Sequence, residues 1–193
     1  MGLTYLRERL RDVALRVARY VAPVNPNTLT LSGLIFSILT PVVAWTSRNS
    51  LLAGVLASIS FLMDALDGSV ARLRGEASKS GAFLDSVVDR VSDAAIVSAF
   101  YFLGCDFLLV YVITVLSLTV SYIRARAESL GVTGIKEIGF MTREFRSISF
   151  IVVFLVHHFL GAHITNYVLT LLLLILGVTA LQRWVYTYRA LRS

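Results

Sequence analysis

Six long apolar runs follow one another along the chain, at about 29–45, 51–73, 82–103, 107–127, 147–160 and 164–186, separated by short polar or charged segments. A helix of roughly 20 apolar residues crosses the ~30 Å hydrocarbon core of a bilayer. Inside hydrocarbon each backbone N–H and C=O needs an internal partner, so runs of this kind are expected as helices. Composition agrees, because 56% of the 193 residues are hydrophobic and mean hydropathy is +0.75, beyond what a soluble domain carries. The expected fold is an all-α integral membrane protein. It forms a single domain over 1–193, with six transmembrane helices bundled at 29–188.

Ahead of the first run, Leu6, Leu10, Val13, Val17 and Tyr20 recur at helical spacing, with Arg7, Arg9, Arg11, Arg16 and Arg19 among them. The pattern predicts an amphipathic juxtamembrane helix over 1–22, lying on the membrane face or covering the bundle. It lacks the unbroken apolar core and small-residue cleavage site of a secretory signal, so it is expected on the mature protein. Pro23 and Pro26 are read as its end, with Asn27, Thr28 and Thr30 as capping side chains for the first run.

Lys and Arg number 18 against 12 Asp and Glu, a net charge of +6. In a soluble protein that excess would suggest nucleic acid; here the cations lie between apolar runs, beside lipid headgroups, and no nucleic-acid partner is expected. All the basic residues except Arg48 fall near the termini or flank the connections between runs two and three and between runs four and five. The positive-inside rule then predicts a multi-pass cell-membrane protein with both termini cytoplasmic. Cys105 is the single cysteine, which excludes an intrachain disulfide.

The chemistry is concentrated where the second run ends and the third begins. Asp64 and Asp67 are three apart, and Asp85 and Asp89 four apart, so each pair shares a helix face. The short connection makes the two helices antiparallel neighbours, which gathers all four carboxylates near the cytoplasmic boundary. Each carboxylate left unpaired at mid-membrane costs roughly 2.5–3.5 kcal/mol. Hard divalent cations compensate that charge, and an all-oxygen site favours magnesium, manganese or calcium over zinc. Gly68 and Gly81 leave room for a large ligand or for close helix packing. Arg72, one turn beyond Gly68, can meet a phosphate or snorkel to the interface. Ion pairing with Arg72, Arg74 and Arg90 would not call for this spacing of acids, glycines, alanine and arginine. Asp93 continues the acidic stripe by one turn and is expected to be a buried pairing or hydrogen-bonding residue. His157, His158 and His163 belong to the opposite face and are read as interfacial.

Asp64, Asp67, Gly68, Ala71 and Arg72, an eight-residue spacer, then Gly81, Asp85 and Asp89 resemble the signature of the CDP-alcohol phosphatidyltransferases, with every fixed position filled. The resemblance implies an amphipathic amino-terminal helix, six transmembrane helices and a homodimer. It implies that the four aspartates hold two divalent ions, with Asp89 also the general base. It further implies that Asn27, Thr28, Leu29 and Thr30 help cradle the CDP part of a CDP-lipid, together with Gly68, Arg72 and Ser78. Bridging cations neutralise a diphosphate and the leaving CMP, while a carboxylate within reach takes the proton of the incoming hydroxyl.

Arg124, Arg126, Lys136, Arg143 and Arg146, with Arg183 in the last run, suit a phosphorylated acceptor alcohol, because guanidinium groups pair bidentately with phosphate. They also obey the positive-inside rule. Arg124-Ala-Arg126-Ala-Glu128, the pair Arg143 and Arg146, and Gln182-Arg183 resemble the branch of the family that uses inositol phosphate. That branch often reads Glu-Arg-x-Glu-Arg at the start of span five, where this chain has Met141-Thr142-Arg143-Glu144-Phe145-Arg146. Glycerol 3-phosphate and serine are the alternative acceptors. Intramembrane acids also mark cation transporters, but acids at one face and the lack of paired inverted halves favour the enzyme. The lipid donor, CDP-archaeol or CDP-diacylglycerol, leaves no readable code.

Overall fold

The computed structural model describes residues 18–192, and all regular structure among them is helical. Most of the expected amphipathic helix lies outside the described residues; its end, 18–21, is helical and turns at 22–24. The helices are α1 (Pro26–Ser47), α2 (Ser50–Arg74), α3 (Lys79–Phe102), α4 (Phe107–Ser129) and α5 (Arg143–Ala190), with a 3-10 turn at Ile135–Glu137.

Local sequence sets the ends. Asn25, not Asn27, Thr28 or Thr30, caps α1: its side chain accepts from the Asn27 N–H at 2.9 Å. Pro26 occupies the first turn, where its missing N–H is no loss. Pro26 therefore opens the first span instead of ending the preceding helix. Asn49 caps α2, Ser78 caps α3 and Asp106 caps α4. Gly75 ends α2 at φ 66, a left-handed position that favours glycine.

α5 runs for 48 residues but breaks at Gly161, with φ 72 and ψ 179, a region open essentially to glycine alone. The chain doubles back there. Met141 N–H, just before α5, bonds Thr179 Oγ1 at 3.2 Å, so the two ends of α5 lie together. The break coincides with the gap expected between spans five and six. Among the described residues four helices, α1, α2, α4 and α5, are long and apolar enough to cross a membrane. The stretch of α3 from Lys79 to Asp93 carries Lys79, Asp85, Asp89, Arg90 and Asp93, which keeps the helix off that set and marks where the chemistry sits.

α1 packs on α2 and α3, α4 on α5 and α3, and α5 also on α2. The core joins Ala53 and Ala57 to Ile96, Phe100, Ile113, Phe150, Phe154 and Leu169, with the Phe100 and Phe154 rings stacked at 4.4 Å. Gly54 admits Phe154: a Cβ there would stand 2.9 Å from its Cβ. Small polar residues join helices across the interior, as in membrane bundles: Ser60 Oγ donates to Gly33 O at 2.8 Å and Ser37 Oγ to Ser92 Oγ at 3.0 Å. Large apolar side chains such as Ile35, Leu62, Val115, Leu171 and Trp184 face outward, as a lipid-facing surface requires.

Candidate active site

The last turns of α2 and the first turns of α3 carry the acids to one end of the bundle. Asp64, Asp67 and Asp85 each offer an oxygen within 4.8 Å of the others. Asp64 is also within hydrogen-bonding reach of the Asp89 carboxyl. The convergence expected from spacing is therefore present. Asp67 is 4% exposed and is held by Thr30, whose Oγ1 donates to Oδ2 at 2.6 Å. Asp89 is paired with Arg90 Nη1 at 3.1 Å and with Arg143 Nη2, which also contacts Asp64.

Within 4.8 Å and at an effective dielectric of ~20, two carboxylates repel by at least about 3.5 kcal/mol. Arg90 and Arg143 are the guanidinium groups paired with this set, and together they offset only part of its negative charge. Asp85 Oδ1 is buried without a hydrogen-bond partner among the described residues, an orphan of the kind a ligand satisfies. Charge deficit, orphaned oxygen and an all-carboxylate donor set fit a hard divalent cation. Asp64, Asp67 and Asp85 are the residues that could hold it.

Beside the acids, between the starts of α1 and α3 and the end of α2, opens a hollow of about 300 Å³, enough for a nucleotide-sized ligand. Asn27, Thr30, Gly68, Arg72 and Ser78 line it, as expected of the CDP-lipid set. Leu29 does not; it is buried against Ala18, Leu66 and Val70. Thr28 is exposed and lies off the lining. Asn25 and Glu76 line the hollow without having been anticipated; the Asn25-Pro26 dipeptide, a cap followed by a first-turn proline, was the signal for the first. Gly81 keeps the mouth open, since a Cβ there would stand 3.2 Å from Ser78 Oγ.

The basic set divides. Arg143 reaches the acids. Arg146 is 5% exposed and donates through Nη2 to Asp93 Oδ2 at 2.5 Å, which identifies Asp93 as a pairing residue. Arg183 is 4% exposed and donates to Ile138 O and Val120 O, each at 3.0 Å. It lies within electrostatic reach of Arg124, Arg146 and Glu128, and Arg124 pairs with Glu128 at 3.1 Å. Arg124, Arg146 and Arg183 thus form one neighbourhood. Arg126 and Lys136 are exposed; Arg126 reaches Ser129.

A profile described as CDP-alcohol phosphatidyltransferase matches residues 23–188. Among curated proteins, an archaetidylinositol phosphate synthase of Pyrococcus horikoshii is 34% identical over 88% of this chain and 89% of its own. One from Aeropyrum pernix is 33% identical over 93% and 92%. Among solved structures, phosphatidylinositol phosphate synthase of Mycobacterium tuberculosis with CDP-DAG bound superposes with a TM-score of 0.77 at 24% identity, covering 92% of this chain and 94% of that one. The same enzyme with manganese and citrate gives 0.78, covering 91% and 88%.

Proposed function

This chain belongs to the CDP-alcohol phosphatidyltransferase family, and on that premise we propose that it transfers a lipid-phosphate group from a CDP-lipid to the hydroxyl of inositol phosphate, releasing CMP. The observation that carries the reading is the meeting of Asp64, Asp67 and Asp85 within 4.8 Å, beside the hollow lined by Asn27, Gly68 and Arg72. The archaetidylinositol phosphate synthases among its relatives support the choice of acceptor, as does the cluster of Arg124, Arg146 and Arg183.

Asn27, Gly68, Arg72 and Ser78 seat the nucleotide. Asp64, Asp67 and Asp85, joined by Asp89, would hold two divalent ions, magnesium or manganese. Bound there, such ions supply neutralisation of the diphosphate and of the departing CMP. Arg124, Arg143, Arg146 and Arg183 hold the acceptor's phosphate, orienting its hydroxyl toward the phosphorus next to the lipid. Asp89, held between Arg90 and Arg143, takes the hydroxyl proton as the new P–O bond forms and the bond to CMP breaks.

The same reading makes the protein a single six-span domain that works as a homodimer. The basic residues gathered around the site support a cytoplasmic position for it and for both termini. The test is CMP release by purified enzyme from CDP-archaeol and CDP-diacylglycerol, with inositol phosphate, glycerol 3-phosphate and serine as acceptors. Release with inositol phosphate is expected. Turnover with serine and none with inositol phosphate would overturn the acceptor.

A further inference from the structure

Asp89 and Asp93 lie one turn apart on α3, and Arg143 and Arg146 about one turn apart on α5. They meet as two rungs: Asp89 with Arg143 and Asp93 with Arg146. The first rung faces the acids. The second is set inside the bundle, Asp93 at 7% exposure and Arg146 at 5%. A buried ion pair is a poor way to stabilise a core, because desolvation offsets much of the attraction. This one is also incomplete. Arg146 Nε is buried with no partner among the described residues, and Asp93 takes only the Nη2 side. The guanidinium is thus held through one nitrogen, Nη2, and keeps its Nε donor unspent. Arg183 stands close enough to add its charge, and its own Nε and Nη1 are engaged by backbone carbonyls.

We propose that Asp93 is a positioning residue for the acceptor: by holding Nη2 of Arg146 it fixes the guanidinium so that the unspent Nε–H can meet the acceptor's phosphate. The inference rests on the reading of Arg146 as a phosphate-binding residue. Two opposing effects decide its sign. Loss of Asp93 removes a negative charge near the phosphate, which would tighten acceptor binding; it also frees Arg146 to turn away, which weakens it. Direct donation from a fixed guanidinium dominates, because a charge-assisted hydrogen bond depends steeply on geometry.

The experiment measures KM for inositol phosphate and for the CDP-lipid in the wild type and in Asp93→Asn, alone and combined with Arg146→Gln. In Asp93→Asn the acceptor KM is expected to rise about 10-fold, the worth of one hydrogen bond to a charged group, with the donor KM within about twofold. In the Arg146→Gln background Asp93→Asn is expected to add nothing, since the pair acts as a unit. Asp93→Glu, which keeps the charge on a longer arm, guards against a variant that fails to fold; it too raises the acceptor KM selectively. A fall in acceptor KM, an equal rise in both KM values, or full additivity with Arg146→Gln would each overturn the proposal. A wild type that releases no CMP with either phosphorylated acceptor sinks the phosphate-site reading and this inference together. Wild-type turnover with unselective variant effects sinks this inference alone.

Discussion

Thr30 of α1 donates its hydroxyl to Asp67 of α2 at 2.6 Å, inside the bundle. The bond ties the wall of the nucleotide hollow to a member of the acid cluster, so Thr30 acts on the carboxylate as well as on the space beside it. Groups that orient metal ligands are worth about 10- to 100-fold in metal affinity when removed. Thr30→Val keeps the shape and loses the donor, and its affinity for Mn²⁺ is expected to fall about 10-fold. Titration of the purified protein with Mn²⁺, followed by electron paramagnetic resonance, checks this; unchanged affinity would mean that Thr30 serves the nucleotide alone.

The acids divide by role. Asp67→Asn and Asp85→Asn are expected to lose Mn²⁺ binding along with turnover. Asp89→Asn is expected to lower kcat by at least about 100-fold, the low end of the range for a removed general base, while keeping measurable Mn²⁺ and CDP-lipid binding. Near-normal turnover in Asp89→Asn would remove it from the base role.

Arg143 and Arg183 are distinguishable by stability. Both alanine variants are expected to raise the acceptor KM more than the donor KM. Arg183→Ala also loses two hydrogen bonds to carbonyls of the α4 segment and of the connection to α5, each worth about 1.5–3 kcal/mol for a charged donor. Its Tm in detergent should drop well below that of Arg143→Ala. Equal melting of the two would argue against a structural role for the Arg183 bonds to Val120 and Ile138.

Gly161 sits at φ 72 and ψ 179, with nothing within 4 Å of where a Cβ would be. Its role is therefore backbone conformation and not packing. Gly161→Ala is expected to cost about 1–3 kcal/mol, seen as a lower Tm, with kcat per folded molecule unchanged. A Tm equal to wild type would show that the reversal tolerates a side chain.

Where the site lies along the chain was legible because it rests on short-range geometry. Asp64 and Asp67, or Asp85 and Asp89, share a face on any α-helix, and a short connection keeps the end of α2 and the start of α3 at one end of the bundle, where α1 packs on both. The reversal at Gly161 fell in the gap between two apolar runs. Less legible were the placements set by long-range packing. The family resemblance implies the whole segment from Asn27 to Thr30 for the nucleotide, yet on a helix the Leu29 side chain points elsewhere and packs on Leu66 and Val70. Reading Pro26 as a stop, when it is a first-turn residue, shifts the expected cap of α1 from Asn25 to Asn27, Thr28 and Thr30.

The sequence by itself determined the helices and the gathering of the acids near one end of the bundle, since these follow from apolar run length and helical periodicity. Tertiary structure alone decided which partner each buried polar group takes: Thr30 with Asp67, Arg146 with Asp93, Arg183 with Val120 and Ile138. The physical reason is the solvent. A helix in lipid is apolar on the face toward hydrocarbon and on the face toward its neighbours, so hydropathy does not fix its rotation. Only the packed bundle does.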